Sequence, residues 1–156
     1  MSKILGIHST IASTEWIAYT PAVEGFGTII DYGFFYARRG DSILLRGKFQ
    51  AGTVQSLEGK IPLPTGLTIA DLTKMSQSTN IVGIWARNDN PGQAEDLFMQ
   101  ADPEADYIGF GALVSASGGL GGFLNGDAAI ASGATLSFVA EVPVDGWNAN
   151  DLVPVP

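Results

Sequence analysis

At 156 residues and 16.3 kDa the chain supports one domain with a real core. A net charge of −8 and a pI near 4.3 argue against nucleic acid or anionic membrane as partner, because both need clustered Lys and Arg. The absence of cysteine excludes disulfides, thiolate metal sites and cysteine nucleophiles.

Charged residues make up only 15%, against roughly 25% in average soluble domains. Mean hydropathy is positive, at +0.19. A surface this poor in charge predicts burial against other chains, and hence an oligomer. No apolar run approaches the roughly 18 residues of a membrane helix, so no membrane insertion is expected. The opening MSKILGIHSTIAS carries one lysine and a short apolar stretch broken by His8, Ser9 and Thr10. It is a poor signal peptide and reads as an arm, residues 1–14, leading into a domain over 15–156.

Strand signals recur along the domain. Trp16 to Thr20 is a first strand, followed by Glu24-Gly25-Phe26-Gly27. Tyr32 to Arg38 and Ile43 to Phe49 are rich in aromatic and β-branched residues and flank Arg39-Gly40-Asp41-Ser42, which is a hairpin signal. Gly59 to Pro64 is short and extended, and its prolines confine it to an edge or a strand end. Ile69 to Met75 has the composition of a helical turn without a sustained period.

Ile81 to Arg87 reads as a buried strand ended by Asn88-Asp89-Asn90-Pro91-Gly92. The pattern of Ala94 to Gln100 does not decide between strand and helical turn. Tyr107 to Ser115 is another strand, and Gly118 to Gly122 a glycine-rich loop. Asn125-Gly126-Asp127 is a turn. Ala134 to Val142 alternates, with Leu136, Phe138, Ala140 and Val142 on one face. Many short strands with Gly and Pro turns predict an all-β sandwich or jelly roll. The expected core is Phe34, Phe49, Ile84, Trp85, Phe110 and Phe138.

Each motif with chemical content meets a structural alternative. Arg39-Gly40-Asp41 spells an adhesion signal, yet Gly-Asp is also what a tight turn demands, and the turn is the favoured reading. Acids crowd Asp89, Glu95, Asp96, Asp102, Glu104 and Asp106. An EF-hand loop would need Gly at Tyr107 and Glu at Leu113, so the motif fails; a solvated loop is the default and an irregular Ca²⁺ site over Asp102, Glu104 and Asp106 the alternative. His8, the one histidine, lies in the arm and is poorly placed for a triad or a metal. Gly118 to Gly122 lacks the Lys-Ser/Thr of a phosphate loop and reads as a flexible loop or close packing near a symmetry axis. Trp16, Tyr19 and Trp147 are candidates for a subunit contact or a ligand platform. No catalytic residue and no cofactor is expected.

Taken in order, these blocks resemble a family. Trp16-Ile17-Ala18-Tyr19-Thr20-Pro21, Gly25-Phe26-Gly27-Thr28, Phe34 to Asp41 and Leu45-Arg46-Gly47-Lys48-Phe49 are similar to C-terminal domains of bacteriophage tail fibres and related virion proteins. Leu63-Pro64-Thr65-Gly66-Leu67, Ser132-Gly133, Leu136-Ser137-Phe138, Val142-Pro143-Val144 and Gly146-Trp147 continue it, over about residues 15 to 147. The resemblance implies a C1q/TNF-like jelly-roll homotrimer without catalysis, located on the virion surface. It implies other virion proteins as partners and a host surface glycan or protein as a receptor. The short arm has no heptads of a fibre shaft. The alternative is therefore a capsid decoration protein docked through that arm; a glycan-binding or glycan-processing module ranks third.

Overall fold

The computed structural model describes residues 14–76, 80–89, 97–114 and 119–149. Alternation of apolar and polar side chains builds nearly all of it as strands: β1 (Ile17–Tyr19), β2 (Ile30–Arg39), β3 (Ser42–Gln50), β4 (Lys60–Pro62), β5 (Asn80–Arg87), β6 (Leu97–Ala101), β7 (Tyr107–Val114), β8 (Gly119–Leu120) and β9 (Thr135–Pro143). The one helix of the described residues, α1 (Gly126–Ala129), is a single turn at the expected Asn125-Gly126-Asp127 turn. The all-β expectation holds.

The strands join in one antiparallel sheet, in the order β1-β2-β3-β9-β5-β6-β7-β4, with β8 paired to β7. The predicted hairpin is β2 and β3, closed by Arg39↔Ser42. Gly40 takes φ +61 in the two-residue loop, a left-handed conformation that glycine adopts at no steric cost. On β9, Leu136, Phe138, Ala140 and Val142 point inward and are buried, while Ser137 and Val139 are exposed.

Three strand spacings separate β9 from β7, about 14 Å in a flat sheet. The rings of Phe138 and Phe110 on these strands nevertheless lie 6.5 Å apart. The sheet is therefore curled around its own inner face. Phe26, Phe34, Phe49, Phe110, Phe138 and Trp85 fill that interior through ring contacts of 5.0 to 6.5 Å. The Trp85 indole Nε1 donates to the Gly111 carbonyl at 3.1 Å, which satisfies its polar edge.

The two ends of the sheet meet. Glu24 and Lys60 exchange backbone hydrogen bonds of 3.1 and 3.3 Å, and the Tyr19 hydroxyl donates to the Pro62 carbonyl at 3.3 Å. β4, which ends at Pro62, lies at the end of the strand order as expected.

Several expectations are corrected. Ile84 is not core: it is 60% exposed, because its neighbour Trp85 takes the inward position and β5 is covered on one side only. Ile69 to Met75 does supply one helical turn, closed by the Met75 amide on the Asp71 carbonyl at 3.0 Å, but its start joins the sheet, where Ile69 bridges to Val144. The glycine-rich segment is not all loop, since Gly119 and Leu120 pair with Val114 and Leu113. Leu97 to Ala101 is a strand. Ala94 to Asp96, Gly118 and the arm up to Ser13 lie outside the described residues.

Candidate functional site: the outer sheet face

Because each strand alternates, every inward core residue leaves an outward neighbour. The registers align these neighbours in a transverse row: Ala18↔Phe35, Phe35↔Arg46, Arg46↔Val139, Val139↔Ile84 and Ile84↔Phe98. One row thus crosses β1, β2, β3, β9, β5 and β6. Val139 is 51% and Ile84 60% exposed. Isolated exposed aliphatics are ordinary, but neighbouring ones aligned on one sheet face form a patch of the kind that marks an interaction site.

The patch has relief. Val139 stands between two hollows: one of about 320 Å³ bordered by Gly33, Phe35, Arg46 and Lys48, the other of about 210 Å³ bordered by Ile84, Ala86 and Ser137. Small side chains at Gly33, Ala86 and Ser137 beside larger ones at Phe35, Ile84 and Val139 create them.

The patch is basic at one side. Arg46 lies over the Trp16 ring at 4.1 Å and the Phe35 ring at 5.3 Å. Neither Arg46 nor Lys48 has a carboxylate partner among the described residues. Arg39, Lys60, Lys74 and Arg87, by contrast, meet Glu141, Glu58, Asp41 and Asp89.

The sequence-derived candidates divide accordingly. Trp16 lies at this face, beneath Arg46. Tyr19 points inward, edge-on to Phe34 and Tyr36, and burial pushes its phenol above the ordinary range. It serves the seam. Trp147 packs against the core with the Arg38 guanidinium over its ring at 4.4 Å. Trp16 and Trp147 are not stacked on one another; each holds its own arginine.

The Arg39-Gly40-Asp41 turn has its charges occupied. Two guanidinium nitrogens of Arg39 engage Glu141, whose hydrogen bonds and charge push the arginine pKa further up. Asp41 pairs with Lys74 at 3.4 Å and accepts from the Ser42 hydroxyl at 3.1 Å. Its backbone carbonyl accepts from the Val144 amide at 2.9 Å, so the turn is tied to the strand end beside it.

Asp102, Glu104 and Asp106 occupy the turn before β7. Their backbone works structurally: the Asp106 carbonyl accepts from the Leu63 amide at 2.8 Å, and the Glu104 amide donates to the Ile69 carbonyl at 3.1 Å. Among the described residues no three acids or histidines converge as a metal site would require. Asp71 is held below the ordinary carboxylate range by the hydroxyl and amide of Thr73, a local turn feature.

The alternation of ATLSFVAEV places Val139 with Thr135, Ser137 and Glu141 opposite the core set, and the structure exposes it. Sequence reasoning missed Ile84 as its exposed neighbour and the half-buried Phe98 beside it. Comparison with protein-family models, curated proteins and solved structures returns no match.

Proposed function

We propose that this chain is a non-enzymatic structural protein of a bacteriophage particle. It forms a homotrimeric surface knob of the C1q/TNF-like jelly-roll type, similar to tail-fibre tips and able to meet a host surface. The observation that carries self-assembly is the exposed apolar row on an acidic chain poor in charge.

The resemblance supplies the phage assignment, and its blocks fall on framework elements. Phe34 to Phe49 is the β2–β3 hairpin, and Leu136 to Val142 is the strand beside it. The curled sheet, with walls facing across an aromatic interior, is compatible with a jelly roll.

Sedimentation equilibrium tests the assembly: three times 16.3 kDa is expected, and a single-subunit mass at micromolar concentration would overturn it. Labelled antibody on intact particles tests the location. Label at the tail tip is expected, whereas label on the head would favour a capsid decoration protein.

A further inference from the structure

We infer that the outer face of β2, β3, β9, β5 and β6 is where a second copy of this chain packs, with Val139 and Ile84 at the centre of the contact. The inference rests on the self-assembly reading above and gives it a surface.

Four observations converge on a second copy as the occupant. The first is where copies of a β protein can meet. Sheet edges are the usual route to uncontrolled pairing, and here the two ends of the sheet are tied to one another, since Glu24 pairs with Lys60 and Tyr19 reaches Pro62. The broad outer face offers a second copy more surface than the short β1 and β8 do.

The second is area. Strands spaced about 4.8 Å apart and about 27 Å long on average give this face a geometric area on the order of 650 Å², part of it already covered at Ala37 and Gln100, against the roughly 800 Å² per partner of a stable interface. A small ligand would cover only a fraction of that row. The third is relief: Val139 is a ridge between two hollows of about 320 and 210 Å³, so a neighbour's side chains can interdigitate with it.

The fourth is charge. Arg46 and Lys48 lack carboxylate partners among the described residues, yet the sequence carries 16 acids against 8 bases. Any second copy brings a surplus of carboxylates to a basic rim. Rim charges of this kind steer docking and fix its register, while buried aliphatic and aromatic contacts hold it. Phe98 continues the apolar row on β6 and Trp16, under Arg46, closes it on the other side.

The chain has no cysteine, so Ile84→Cys provides a single reporter thiol. In an otherwise wild-type chain that thiol should resist a bulky maleimide when the protein is associated, and react once dilution separates the subunits. Val139→Asp, made separately, should weaken association on the order of 30-fold or more, as loss of a central interface residue does. Its circular dichroism should be unchanged, because Val139 points away from the core.

The outcomes separate the two claims. A wild-type protein that sediments as one subunit overturns self-assembly itself, and this inference with it. An oligomer whose reporter thiol is labelled freely, and which survives Val139→Asp, leaves assembly standing but overturns this face as the contact. Should Val139→Asp fail to fold, the labelling of the Ile84→Cys variant decides alone.

Discussion

The outer side of the sheet is finished differently over β7 than over β9 and β5. Over β7 the chain covers itself. A Cβ placed on Gly109 would come within 2.3 Å of the Phe123 ring, and one on Gly111 within 2.2 Å of Gln100. Those glycines let Phe123 and Gln100 lie flat on the strand, where Gln100 is fully buried and Phe123 meets Tyr107 at 5.9 Å. Over β9 and β5 nothing from the described chain lies on Val139 and Ile84, and both stay more than half exposed. One wall is closed by its own chain and the other is left bare.

That contrast sets an order of effects. Phe110→Ala, which empties the shared interior, should cost about 3–5 kcal/mol in urea unfolding and sets the scale for the rest. Gly109→Val comes next, at roughly 1–3 kcal/mol, because the added methyls meet a ring that is already in place. The matched change on the bare wall, Ala86→Val, should cost less than about 0.5 kcal/mol when both are measured in the Val139→Asp background. Equal costs for the two substitutions would erase the distinction between covered and bare walls.

Tyr19→Phe probes the seam rather than either wall. Loss of the hydrogen bond to Pro62 should cost about 0.5–1.5 kcal/mol. The wild type should also lose stability as pH rises above about 10, because the unfolded phenol ionises there while the folded one, its pKa raised by burial, stays neutral. The phenylalanine variant should show a shallower alkaline decline in a pH series of unfolding midpoints, the partly buried Tyr107 phenol, also raised by burial, supplying the remainder.

The smallest effects are expected at the Arg-Gly-Asp turn. Arg39→Ala removes an exposed pair with Glu141 and should leave the unfolding midpoint unmoved. Asp41→Glu displaces the carboxylate from Ser42 and Lys74 and should shift the midpoint more than Arg39→Ala does. Reversal of that order would show that the turn is held by Arg39 and not by Asp41.

The hairpin, the inward set on β9 and the aromatic interior are all legible in the sequence. Each depends on local geometry: a two-residue loop with Gly at its head, and the two-residue period that sends Phe138 in and Val139 out. Phe34 and Phe35 take opposite faces for the same reason. The candidate site is legible only in fragments. Trp16 stands out as a contact residue, whereas Ile84 reads as core because IVGIWAR is apolar nearly throughout and gives no sign of which neighbour faces inward.

The sequence alone determined an acidic, cysteine-free, all-β chain of low charge content, since composition and strand period are properties of the chain itself. Tertiary structure decided which outward residues stand side by side. Cross-strand register, set by hydrogen bonds between segments as distant as Arg46, Val139 and Ile84, lines up side chains that no local pattern connects. Curvature then turns that row outward and brings Glu24 and Lys60, at the two ends of the sheet, together behind it.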